Sequence, residues 1–175
     1  MAHQPTQAFS RWLETLPEKE RKYAFDMHNF ILNKGIKPRK PNGNNFQYWF
    51  KGSRVIYLRE NSYLKRPLDI AIPYGLKGSY DDIGSFVAMC ASESDSQNLI
   101  QYVIDNACYC DLCGDGRHDC NFWKEFAGVR RKMALCHYDI SKWKAPKIKS
   151  DYTDDDLHWL KRLVDVRIKQ ILLSV

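Results

Sequence analysis

The sequence predicts an α+β fold, a small antiparallel sheet of three to five strands with helices mainly on one face and a cysteine-rich loop late in the chain. Three observations carry that expectation. Leu68, Ile70 and Ile72 alternate with Asp69 and Ala71, the period of a strand with one buried face. Other segments repeat their apolar residues at helical spacing. Five of the six cysteines fall between positions 108 and 136.

The elements follow in order. Thr15-Leu16-Pro17-Glu18 has the pattern of a capping box with proline in the first turn. The helix it opens should run to about Lys34 and stop at Gly35, with Tyr23, Met27, Phe30 and Ile31 as its apolar stripe. His28 lies beside that stripe and reads as a core histidine rather than a ligand. Residues 38–45 hold two prolines, a glycine and three asparagines, hence a loop. Three short strands should follow as a meander: Phe46 to Phe50, Val55 to Arg59 after a turn at Lys51-Gly52-Ser53, and the alternating segment around Ile70.

Asp81 or Asp82 caps a helix burying Ile83, Phe86, Val87 and Cys90, and Ser94-Asp95-Ser96-Gln97 reads as a second capping box. It opens a helix through Leu99, Ile100, Val103 and Ile104. Met133, Leu135 and His137 suggest a further strand. Thr153-Asp154-Asp155-Asp156 starts a final helix, its carboxylates at the positive end of the dipole. Leu157, Leu160, Val164, Ile168, Ile171 and Leu172 form its apolar face, with Arg167 and Lys169 toward its C-terminal end. Capping accounts for the acidic cluster without a metal.

The whole chain, 1–175, reads as one domain, with a distinct subregion at 108–137. No run of roughly 18 or more apolar residues is present, and Met1 to Ser10 lacks the apolar core of a secretory signal. That points to a cytoplasmic protein, where clustered cysteines serve metal or redox chemistry more than disulfides.

The cysteine spacing favours metal. Cys110-Asp111-Leu112-Cys113 sets two thiolates on one side of a tight bend, and Cys120 and Cys136 return to complete a tetrahedron. The ligand set read here is Cys110, Cys113, Cys120 and Cys136 around one structural zinc ion, with Cys108, His118 and His137 as alternative ligands. A redox C-x-x-C belongs at a helix N-terminus, whereas this pair runs into a glycine-containing loop and more cysteines. Buried free thiols fit a polar loop poorly, although Cys90, alone on an apolar helix face, fits that description. A catalytic zinc keeps an open position with a base nearby, whereas four cysteines saturate the ion. No H-x-E precedes the pair, and no H-E-x-x-H occurs.

Net charge is +6. Lys34 to Arg54 contains six cations and no acid, and Arg130 to Lys149 contains seven opposed only by Asp139. Basic residues among aromatics suit a phosphate backbone with stacked bases. No helix-turn-helix, RRM or KH pattern accompanies them, so a solvated surface is the favoured reading and nucleic acid is not the favoured partner. Nucleotide-binding and hydrolase signatures are absent, and Cys136 and His137 would face opposite ways on a strand.

The order of these parts resembles a group of small uncharacterised bacterial proteins, common in Firmicutes, with a late cysteine cluster on an α+β domain. The likeness rests on a helix ending in Lys34-Gly35-Ile36-Lys37-Pro38, a meander, a helix leading into Cys110-x2-Cys113, then Cys120, a strand carrying Cys136, and a terminal amphipathic helix. It runs over most of the chain, with the cysteine spacing as its motif. It implies a bacterial cytoplasmic protein and no particular activity. Cys108 and the basic 130–149 stretch depart from the group's pattern.

The function expected is therefore that of a zinc-stabilised binding or regulatory module recognising a small molecule, a protein or nucleic acid. The alternative is an enzyme whose active site is not a linear motif. A pocket lined by Tyr48, Trp49 and Tyr57 would favour a ligand site or an enzyme.

Overall fold

The structure, a computed structural model, describes residues 6–39, 41–61, 66–74, 82–106, 123–126, 128–132, 139–140 and 152–174. These form helices α1 (Gln7–Thr15), α2 (Glu18–Asn33), α3 (Asp82–Ala91), α4 (Ser96–Asn106) and α5 (Asp154–Leu173). The strands are β1 (Asn45–Phe50), β2 (Ser53–Asn61), β3 (Arg66–Pro73), β4 (Trp123–Phe126), β5 (Val129–Lys132) and β6 (Asp139–Ile140). The α+β expectation holds. β1, β2 and β3 form an antiparallel meander, with β6 added beside β3 and β4–β5 as a separate hairpin.

Helix α1 is an addition to the sequence expectation. Thr6 caps it, accepting a hydrogen bond from Phe9 N at 3.3 Å, and it buries Phe9, Trp12 and Leu13. Those residues stand at i, i+3 and i+4, and each buried side chain contributes about 1.5–3 kcal/mol. The capping box expected at Thr15 does not form, because Thr15 closes α1 and its hydroxyl donates to Trp12 O at 2.7 Å. Helix α2 instead starts behind Pro17, which makes no side-chain cap.

At the far end of α2, Gly35 takes φ 75° and donates to Leu32 O, while Ile36 N donates to Ile31 O. That pair of bonds is a Schellman stop, and the buried Ile31 and Ile36 supply its apolar contact.

The box expected at Ser94 is also replaced. Asp95 adopts φ 60° ahead of α4 and accepts from Asn98 Nδ2 at 2.8 Å, while Arg162 of α5 takes Ser94 O at 2.7 Å. A capping box forms instead at α5, where the sequence placed only a capped acidic helix start. Asp156 N donates to Thr153 Oγ1 and Thr153 N donates to Asp156 Oδ2. Asp156 is therefore committed to the cap.

Register fixes the two faces of the sheet. Phe46 lies opposite Leu58 and Leu58 opposite Ile70, with Tyr48 opposite Ile56. This row joins the helices in one core cluster that draws on α1 through α5. Strand β3 departs from the half-buried expectation. Asp69 and Ala71 are as fully buried as Ile70 and Ile72, so both of its faces are covered.

Candidate basic-aromatic surface

The second face of the meander carries the most concentrated chemistry. Asn45, Arg59 and Asp69 are cross-strand neighbours, as are Gln47, Tyr57 and Ala71, and Trp49 stands opposite Arg54. The β1–β2 turn is Lys51-Gly52, with φ of 44° and 79°. A type I′ hairpin turn needs two positive φ values, its twist matches the strands, and glycine meets the second at no steric cost.

A β-bulge between Tyr48 and Trp49 shifts the register, so that Val55 is the extra residue. The bulge matters for the site. It lets Trp49 and Arg54 pair beside the turn while Tyr48 and Ile56 remain on the core face.

On this scaffold cations and rings alternate. The Arg39 guanidinium carbon lies 3.9 Å from the Trp49 ring centroid, and that of Arg54 lies 5.2 Å from the same ring. Arg54 also lies 4.9 Å from the Tyr57 centroid, and Arg59 reaches Tyr57 at 4.9 Å. Arg59 ends the ladder by donating through Nε and Nη2 to Asp69 Oδ2, both at 2.8 Å. Its charge is thereby neutralised by a fully buried carboxylate.

Arg39 and Arg54 differ from Arg59. Among the described residues neither has a carboxylate partner, and the Arg54 Nε and Trp49 Nε1 donors are buried without an acceptor. Arg39 and Lys51 are exposed, and Trp49 and Arg54 are half-buried. The result is a basic patch at the hairpin tip, lying over two N–H donors that are closed to solvent.

Two contacts hold it in place. Arg39 N donates to Gln47 O at 2.9 Å, laying the 38–39 segment along β1. Arg167, only 1% exposed, reaches from α5 to donate through Nε to Arg54 O at 3.0 Å. Its Nη1 donates to Tyr74 O at 3.3 Å and to the Gln170 side chain. Gln170 in turn donates to Tyr74 O at 3.1 Å. From sequence Arg167 was placed toward the C-terminal end of the helix, apart from its apolar face. It is instead a buried clamp joining α5 to the start of β2 and the end of β3.

Tyr48, Trp49 and Tyr57, whose meeting in one pocket would have favoured a ligand site or an enzyme, are divided between faces. Trp49 and Tyr57 belong to the ladder, whereas Tyr48 points into the core. There its hydroxyl lies 2.6 Å from His28 Nδ1, and Phe9 stacks on the His28 ring at a centroid distance of 4.0 Å. Burial raises the Tyr48 phenol well above its ordinary range. Tyr48 thus keeps its proton inside a closed core, as a structural pair with His28. Tyr152 is similar: Ile70 N donates to its hydroxyl at 2.8 Å, and burial with the nearby Asp69 carboxylate raises its phenol.

The proposed metal ligands Cys110, Cys113, Cys120 and Cys136, and the alternatives Cys108, His118 and His137, lie outside the described residues, as does the strand expected around Leu135. Among the described residues no group of three or more His, Cys, Asp or Glu side chains could hold a metal ion. Cys90 is fully buried as expected, and burial, with Glu93 nearby, pushes its thiol up to about 12. That is the environment of a core thiol, which stays protonated. Of the second basic stretch, β5 is described, and register sets Glu125 of β4 opposite Arg130.

Both aromatic members of the ladder were singled out from sequence, whereas Arg39 and Arg54 were seen only as part of a charge run and Arg59 only as the end of a strand. Strand alternation was the available signal, since Tyr48 and Trp49 are adjacent and must face opposite ways.

Among the described residues no helix is long and apolar enough to cross a membrane. Comparison with family models, curated proteins and solved structures finds no match.

Proposed function

We propose that this chain is a binding module that recognises an anionic partner through the β1–β2 hairpin, with zinc held by Cys110, Cys113, Cys120 and Cys136 as a staple elsewhere in the fold. One observation carries the reading: two arginines without carboxylate partners among the described residues flank Trp49 beside the exposed Lys51 of the turn. Cations that no carboxylate neutralises are free to meet an anion. The clamp from Arg167 fixes the patch before the partner arrives, so little ordering cost falls on binding. The zinc reading rests on cysteine spacing.

The test is binding of the full chain to fluorescein-labelled heparin, followed by anisotropy across a salt series. The R39A/R54A variant should lose most of the affinity. A charge-matched control at the exposed Arg11 and Lys19, R11A/K19A, should keep it. Equal losses in the two variants would mean that only net charge is being read, and the hairpin would not be the site.

A further inference from the structure

We infer that the group this hairpin reads is a phosphomonoester, its negative charge shared between the outer guanidinium nitrogens of Arg39 and Arg54. This rests on the hairpin being the anion site and names the chemistry of that anion.

Two like charges converge on one indole. The Arg39 and Arg54 guanidinium carbons lie 3.9 Å and 5.2 Å from the Trp49 centroid, so they can be no further apart than those distances laid end to end. Cations held this close repel one another. At Arg59 the fold answers the charge internally, through Asp69. Among the described residues Arg39 and Arg54 have no such partner, and neither side chain donates a hydrogen bond.

The donors available to a ligand are the terminal ones. Arg54 is half-buried, and Nε alone of its nitrogens is sealed from water without a partner. Its position is fixed by a second ring, Tyr57, at 4.9 Å. Arg39 is exposed, so its guanidinium can pivot on the indole toward a group seated at the outer nitrogens of Arg54.

Charge decides which anion matches. A phosphomonoester carries about −1.5 to −2 at pH 7 and three acceptor oxygens, enough to answer two guanidinium groups together. A carboxylate, a sulfate ester or a phosphodiester brings a single charge and answers one. Guanidinium forks take phosphate oxygens at about 2.7–2.9 Å, and arginine clusters are a recurrent means of reading phosphorylated groups. Exposed Lys51, at the adjoining turn, adds a point charge and no fork.

Methyl phosphate and methyl sulfate share a shape and differ in charge, which makes them the probes. NMR titration of the intact protein, followed at the arginine Nε–Hε signals, should give several-fold tighter binding of methyl phosphate at about pH 7.5. Lowering the pH to about 5, below the second phosphate pKa of about 6, should weaken methyl phosphate about five-fold and leave methyl sulfate unchanged. R39A and R54A should each remove most of the affinity, and the double variant little more, since one anion spans both. R54K keeps the charge without the fork and should also bind several-fold more weakly, which covers the case of an R54A chain that does not fold. Thermal melts accompany every variant. Inorganic phosphate and a phosphoserine peptide separate two sources of the group: tighter binding of the peptide assigns it to a modified protein, equal binding to the free ion. Equal affinity for the two methyl esters, binding indifferent to pH, or additive losses overturn the phosphomonoester inference. The hairpin then stands as an anion site if heparin still distinguishes R39A/R54A from R11A/K19A. Loss of that distinction as well overturns both.

Discussion

His28 of α2 and Tyr48 of β1 are joined inside the core by a 2.6 Å contact between Nδ1 and the phenol oxygen, with Phe9 of α1 stacked on the imidazole. Three elements meet in that arrangement. Tyr48→Phe keeps the ring and removes only the hydroxyl, so the loss should be about 1–3 kcal/mol, the cost of stranding a buried partner. Urea midpoints of Tyr48→Phe, His28→Phe and the double variant should reveal non-additivity. Strict additivity would show that the two groups do not interact.

The Arg167 clamp sets a second expectation. Arg167→Met preserves the length of the side chain but removes the donor to Arg54 O and leaves Tyr74 O with its bond from Gln170. Losing the partner of the Arg54 carbonyl should cost about 1–3 kcal/mol. Arg167→Lys should recover only part, because an ammonium lacks the planar fork that reaches two strands at once. Denaturant unfolding checks the order, parent above Lys above Met. A Met variant as stable as the parent would remove the clamp from the account.

Alkaline pH should unfold the protein. The Cys90 thiol is pushed up to about 12 from 9.0, mainly by burial, and burial likewise raises Tyr48, Tyr102 and Tyr152. In the unfolded chain the thiol ionises near 9.0 and the phenols near 10.0. Above about pH 9 the folded state thus binds more protons than the unfolded one, and stability falls as pH rises. Each group held protonated costs about 1.4 kcal/mol per pH unit through that window. Circular dichroism with phenolate absorbance tests this. Part of the absorbance of the ten tyrosines should appear only as the helical signal is lost. Ionisation of all ten with the helical signal intact would contradict the burial described.

Zinc can be tested against an internal control. Elemental analysis of the native protein should give about one zinc per chain. Chelation should expose the thiols of Cys110, Cys113, Cys120 and Cys136, while buried Cys90 stays unreactive until global unfolding. Metal-free protein with freely reactive thiols, prepared reduced and without chelator, would end the zinc reading.

The meander and the main helices were legible in the sequence because their large apolar residues recur at simple periods. Tyr23, Met27 and Ile31 are buried at helical spacing, and Leu68, Ile70 and Ile72 stand at every second position of β3, although Asp69 and Ala71 between them are buried too. Both misplaced caps had the right residue types in the wrong competition. Thr15 was spent closing a preceding helix, and Ser94 was taken by Arg162 from 68 residues away.

The faces of the hairpin were less legible. A two-residue turn at Lys51-Gly52, continued without irregularity, would align Gln47 with Ile56 and send Ile56 to the face of Trp49. The bulge at Tyr48/Trp49 corrects this. No residue type announces that bulge. It follows from the demand of the core for Ile56 and Leu58, a tertiary condition. The reach of Arg167 to Arg54 is invisible for the same reason.

That reach spans 113 residues of chain, which matters while the protein is being made. At roughly 5–20 residues per second, Arg167 of α5 is added roughly 6–23 s after Arg54 of the hairpin that it clamps. In that interval Arg54 O lacks its donor, and the sheet lacks the apolar side chains that α5 contributes to the core. The ladder is therefore a late product of synthesis: a nascent chain can form the β1–β2 turn on its own, but cannot hold the basic patch in its finished position until α5 docks.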